Sequence, residues 1–245
     1  MKRVTLTFDN GPEPACGHYV LDVLAEHNVK ATFFPIGIKL RLNAPAMALL
    51  SRARAEGHRI GNHTFFHAYS LGDIDRDDAV EFEFEPTFVA LGKLADPERL
   101  VRPYCYGGVL DQRVFKTADV EAIRAAGYTC VLYNSVPHDW EGGDWDQRAL
   151  DDLPKRDWTT MVLHDVAWNP GGPADQPIAK LGNFIKAAKA AGYEFTQAFS
   201  PDAVPIAGGR VLQNVDHLIW DGDGARTATS NARSPNPFFP KTPGI

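Results

Sequence analysis

Two periods divide the chain. Short runs that alternate apolar and polar residues, beginning with Val4-Thr5-Leu6-Thr7-Phe8, are separated by longer stretches in which apolar residues recur at helical spacing. The pattern predicts strands over residues 4–8, 31–35, 58–62, 100–102, 129–133, 160–164 and 193–197. Between them it predicts helices over about 17–27, 44–56, 75–94, 118–126 and 177–191. Such alternation is the rhythm of an α/β fold. Its regularity favours a distorted parallel (β/α) barrel of about seven strands over an open sheet.

On this reading residues 1–199 form the barrel domain. After Ser200 the periodicity gives way to Pro-, Gly- and Asn-rich text, including Ser234-Pro235-Asn236-Pro237-Phe238-Phe239-Pro240. Residues 200–245 are expected to form an extended C-terminal tail on the barrel or on a neighbouring subunit, a route to a homo-oligomer.

Composition leaves this picture standing and removes some partners. With 245 residues, 44% of them apolar and 23% charged, the chain suits one folded domain. A net charge of −6 and the lack of a Lys/Arg-rich run argue against nucleic acid and anionic membranes. No stretch approaches the ~18 apolar residues of a membrane span. Met1-Lys2-Arg3 enters the first strand with no room for an apolar signal core, so the expected location is cytoplasmic. Cys16, Cys105 and Cys130 are odd in number and in no CxxC pair, which suggests neither a disulfide framework nor a zinc knuckle.

In a parallel barrel the catalytic side chains stand at the carboxyl ends of strands. Here Asp9-Asn10-Gly11-Pro12 follows the first strand, His63 the third, and Arg102-Pro103-Tyr104 the fourth. Asp139-Trp140 lies after the fifth, and His164-Asp165 ends the sixth. His63 and His67, four residues apart, would share a face on one helical turn and could chelate one divalent ion. Asp9 and Asn10 sit in a tight Gly-Pro turn that presents side-chain oxygens at an edge. Singly, each has an ordinary structural reading. Asp9 and Asn10 form turns, His164 is a hydrogen-bonded core residue, Asp139 caps, Arg102 pairs, and Trp140 fills core. Their recurrence at successive strand ends favours a hydrolytic site.

Taken in order, these segments resemble the polysaccharide deacetylase family, also called carbohydrate esterase family four, over about residues 3–197. The family's first motif, Thr-Phe-Asp-Asp-Gly-Pro, is met by Thr7-Phe8-Asp9-Asn10-Gly11-Pro12 at every position but one. Its second, His-Ser/Thr-x-x-x-His or close to it, is met by His63-Thr64-Phe65-Phe66-His67, and Lys30-Ala31-Thr32-Phe33-Phe34 is a further family-like strand. Later motifs are looser. Arg102-Pro103-Tyr104-Cys105-Tyr106-Gly107 keeps the arginine of Arg-x-Pro-Tyr but shifts or loses its second proline. Val136-Pro137-His138-Asp139-Trp140 has valine where the family has a first aspartate, and Met161-Val162-Leu163-His164 is the apolar strand ending in histidine.

The resemblance implies a hydrolase of amide bonds that deacetylates an N-acetylated sugar or oligosaccharide with a divalent metal, taken as zinc. It implies His63, His67 and residue 10 as metal ligands, Asp9 as general base and His164 as general acid. Asp139 would orient His164, Arg102 would keep Asp9 ionised, and a backbone N–H near Tyr104 would receive the oxyanion. Trp140, with Tyr104, Tyr106 and Trp168, would offer flat faces to substrate.

One departure matters most. The family's third ligand is an aspartate, and Asn10 is neutral, so the metal is expected to bind more weakly or to be lost. Two alternatives stay open. One is an amidase or imidase acting on a small cyclic amide, since relatives of this fold cleave ureides and imides. The other is a catalytically silent carbohydrate-binding barrel.

Overall fold

The computed structural model describes residues 2–220. Its strands begin with β1 (Arg3–Asp9), β2 (Thr32–Phe34), β3 (Arg59–Ile60), β4 (Leu100–Val101), β5 (Thr129–Cys130), β6 (Trp158–His164) and β7 (Glu194–Phe195), each within or overlapping a predicted segment. β1 is the hub. β6 runs parallel to it along its whole length, from Arg3 opposite Trp158 to Asp9 opposite His164. The other edge of β1 is shared: β2 pairs with residues 7–9 and β7 with residues 3–4. β2 pairs with β3, and β4 with β5, again in parallel. Single parallel bridges, Asn62 to Val101 and Ser135 to Met161, join the two sheets, so a ring runs β1-β2-β3-β4-β5-β6 and back to β1. It is a distorted parallel barrel.

The two faces of β1 explain its alternating text. Val4, Leu6 and Phe8 enter an apolar cluster with Leu21 and Leu24 of α1 (Pro14–Glu26) and Phe184 and Ile185 of α7 (Leu181–Ala190). Thr5 and Thr7 are equally buried, and Thr7 Oγ1 donates to the Met161 carbonyl at 2.8 Å, so the inner face carries no unmet hydroxyl there. The remaining helices are α2 (Gly37–Leu40), α3 (Ala44–Ala55), α4 (Ala79–Leu91), α5 (Thr117–Ala125) and α6 (Trp145–Asp152).

Two helices are additions to the sequence expectation. α2 is a single turn, too short to show a period. α6 lies in text that reads as a Trp-, Gly- and Asp-rich loop. It folds because fully buried Trp145 docks on α7, its Nε1 donating to the Pro177 carbonyl at 2.6 Å.

Residues 201–220 also carry structure. A hairpin of β8 (Ile206–Ala207) and β9 (Arg210–Val211) adds to β5 in antiparallel fashion, and the chain then pairs with Phe115. Ile206, Val215 and Leu218 are buried in an apolar cluster with Phe115 and Tyr128, so up to Trp220 the segment is packed structure, not an extended tail. The rest of the expected tail, residues 221–245, lies outside the described residues. Among the described residues no helix is long and apolar enough to cross a membrane.

Candidate active site

β1 and β6 end side by side, and their register sets Asp9 beside His164 at the top of the barrel. Each carries a buried partner. Arg102, fully buried after β4, donates from Nη1 to Asp9 Oδ1 at 2.7 Å and to Thr7 Oγ1 at 2.8 Å. Its Nε and Nη2 donate to the Val131 and Leu132 carbonyls, so the guanidinium is locked across three strands. Asp139, 1% exposed, receives the His164 amide on Oδ2 at 2.9 Å and the His164 Nδ1 on Oδ1 at 2.8 Å. With Nδ1 engaged, Nε2 faces the cleft. Burial alone would lower the His164 pKa, but the Asp139 charge and hydrogen bond, with Asp9 and Asp165, outweigh it and raise the pKa.

The imidazole pair is built differently from the expected helical turn. Residues 63–67 form a loop in which Thr64 and His67 have φ of 63° and 53°, incompatible with α-helix. The two rings still meet, Nε2 to Nε2 at 3.1 Å. His63 Nδ1 lies 2.9 Å from the Arg102 carbonyl, which can only accept, so Nδ1 carries the proton. Burial lowers the pKa of His63, and burial together with His63 and Lys39 lowers that of His67 well below the ordinary value. Asp9 Oδ2 is 3.5 Å from His63 Nε2.

Asn10 completes this side. Its backbone, at φ 72°, is left-handed, a conformation asparagine tolerates, and its buried Oδ1 has no hydrogen-bond partner. Two neutral imidazoles and an orphaned amide oxygen are a donor set that fits a divalent cation. Among the described residues no trio of His, Cys, Asp or Glu forms a metal-binding group. Gly11 is required here. A Cβ on it would stand 2.2 Å from both carboxyl oxygens of Asp165, whose pKa burial raises to about 7.

These groups open on a cavity of about 200 Å³ lined by Asp9, Asn10, His63, His67 and His164, with Tyr104, Trp140 and Trp168 around them. Trp140 and Trp168 meet the His164 ring edge-on, with centroids 5.2 and 5.5 Å away, and Tyr104 meets His67 at 4.3 Å. Burial pushes the Tyr104 phenol up to about 12. Tyr106 does not line this cavity. The 3-10 turn Tyr106–Gly108 carries its ring behind Tyr104, under the Arg113 guanidinium. Cys105, Tyr133 and Val162 also line it, residues to which the sequence reading gave no role in the site. Tyr133 and Val162 lie at or near the ends of two barrel strands, a position that could have marked them. The three cysteines are free and buried.

A family model described as "Polysaccharide deacetylase" matches residues 1–131. The chain belongs to the polysaccharide deacetylase family. This deacetylase is 31% identical over 198 residues to a peptidoglycan-N-acetylglucosamine deacetylase of Bacillus cereus, covering 79% of this chain and 85% of that one. It is 42% identical over 176 residues to a chitooligosaccharide deacetylase of Rhizobium leguminosarum bv. trifolii, covering 71% and 74%. Among solved structures, a family 4 acetyl xylan esterase from Clostridium thermocellum in complex with a cobalt ion superposes with a TM-score of 0.62 at 27% identity, over 80% of the deacetylase and 87% of the esterase. The deacetylase is accordingly a hydrolase of the carbohydrate deacetylase class with a (β/α) barrel fold.

Proposed function

We propose that the deacetylase removes the acetyl group from an N-acetylated sugar or short oligosaccharide by metal-assisted amide hydrolysis. One observation carries this reading: Asp9 and His164, each braced by a buried partner of opposite charge, face the same cavity as the imidazole pair. The names of its chitooligosaccharide and peptidoglycan-N-acetylglucosamine relatives support N-acetylglucosamine units as the substrate.

His63, His67 and Asn10 would hold the cation, zinc by the nitrogen-rich donor set. When bound, it supplies Lewis acidity to the acyl oxygen and to the attacking water. The chain's own residues do the rest. Asp9 Oδ2, left open by the Arg102 bond on Oδ1, takes a proton from the water. A backbone N–H near Tyr104 receives the developing oxyanion. His164 Nε2 delivers a proton to the departing nitrogen, and Asp139 stabilises the imidazolium until then. Trp140, Trp168 and Tyr104 offer faces to the sugar ring.

The test is metal analysis of protein purified without chelators, followed by acetate release from N-acetylated chito-oligosaccharides and ring opening of cyclic imides. Acetate release that chelation abolishes supports the reading. Imide opening without acetate release would replace it with the imidase alternative, and sugar binding with neither reaction would favour a silent barrel.

A further inference from the structure

The loop of His63 and His67 keeps two non-glycine residues in left-handed backbone, a state that persists only where surroundings over-determine it. The surroundings are α4 and α2. Glu83 of α4, 3% exposed, accepts the N–H groups of Phe65 and Phe66 on Oε2, both at 2.9 Å. The Thr64 hydroxyl and the His67 amide also turn toward it. One helical turn on, Thr87 Oγ1 donates to the Thr64 carbonyl at 3.1 Å. From the other side, the Gly37 and Ile38 amides of α2 donate to the Thr64 and Phe65 carbonyls at 2.9 and 3.0 Å. α2 and α4 close tightly on the loop, for a Cβ on Gly37 would stand 2.1 Å from Thr87 Oγ1.

A carboxylate buried this deeply is costly unless its hydrogen bonds are met. Its partners are the loop's own N–H and O–H groups, which lie between the two histidines in the chain. We propose that Glu83 is the positioning residue of the imidazole pair, fixing the loop so that His67 Nε2 stands 3.1 Å from His63 Nε2. The inference rests on the reading of that pair as a cation site. Glu83 touches neither substrate nor cation, and acts through the backbone of residues 64–67. Thr87 is its lesser companion.

The test is titration of Co²⁺ into the metal-free full chain by calorimetry, with Tm measured in parallel. Glu83→Ala should weaken Co²⁺ binding about 10- to 100-fold, the range for removing a group that orients a ligand. Glu83→Gln keeps an accepting oxygen and should stay within about threefold of wild type, and Thr87→Val should lose about fivefold. A merely structural Glu83 would lower Tm in Glu83→Ala and leave the Co²⁺ affinity unchanged, which would overturn the proposal. Should Glu83→Ala not fold, wild-type affinity in Thr87→Val overturns it instead. His63→Ala separates the two levels: equal Co²⁺ uptake by wild type and His63→Ala would sink the cation reading, and this inference with it.

Discussion

The half of the site that holds Asp9 and His164 and the half that holds Asn10, His63 and His67 are built in opposite ways. Asp9 and His164 end adjacent strands as register partners, and each has a buried partner within the protein, Arg102 or Asp139. Asn10, His63 and His67 stand on loops, two of them in left-handed backbone, and the Asn10 side-chain oxygen Oδ1 is buried without a hydrogen-bond partner. Regular strands deliver charge pairs that are complete in themselves. The loops gather neutral donors instead, held on the proposal above by a remote strut, Glu83.

The largest expected break falls on the first half. On the proposed mechanism His164→Ala removes the proton donor to the leaving nitrogen, and should cut acetate release about 10³-fold with the circular dichroism unchanged. Activity within a few-fold of wild type would remove His164 from the reaction. Asp9→Asn should be as inactive, and it should also destabilise, because Arg102 is fully buried and loses its counter-charge. Breaking such a pair costs about 3 kcal/mol. Urea unfolding would read the loss. The metal-free His63→Ala protein should show no comparable drop, since His63 has no ionic partner of that kind to strand. Equal destabilisation of the two variants would erase the contrast drawn above.

A smaller change separates charge from shape. Asp139 raises the His164 pKa against the effect of burial, so the protonated acid persists to higher pH. Activity should fall as pH rises through that raised pKa. In Asp139→Asn the alkaline limb of kcat/KM should move toward acid by about one unit or more. Stability has the same sign: the His164 contribution is full below the unfolded pKa of about 6.5 and is lost as pH rises through the folded value. An unmoved limb in Asp139→Asn would mean that His164 is not the titrating acid.

Much of the first half was legible along the chain, because residues at strand ends are placed by register, and register follows the apolar pattern. Asp9 and His164 are such residues and Arg102 directly follows β4, whereas Asp139 stands in a 3-10 turn, Asp139–Glu141, well beyond β5. The second half was legible in identity and not in geometry. The spacing of His63 and His67 suggested a helical turn, whereas Glu83, twenty residues beyond His63, dictates a loop. No local pattern carries that instruction. Tyr106 was hidden for a related reason, since its ring packs on Tyr104 and under the Arg113 guanidinium, contacts that its own segment does not announce. α6 was hidden because its anchor, Trp145, docks on a helix more than thirty residues later.

The smallest expected effect tests the second half at its one departure from the family. Asn10→Asp restores a negative charge beside the imidazole pair, worth about 2 kcal/mol against a divalent ion at 4 Å in water-like screening, of which repulsion from the neighbouring carboxylates should leave about 1 kcal/mol, or about fivefold in affinity. The gain is modest because the new carboxylate follows Asp9 directly in the chain, and Asp165 packs against the next residue, Gly11. Without metal those like charges repel, so the variant should have a lower Tm than wild type in chelator and gain more on adding Co²⁺. Calorimetric titration gives the affinity, and melts with and without chelator give the crossing. Unchanged affinity would mean that residue 10 does not face the ion, and the orphaned amide oxygen would then need another partner.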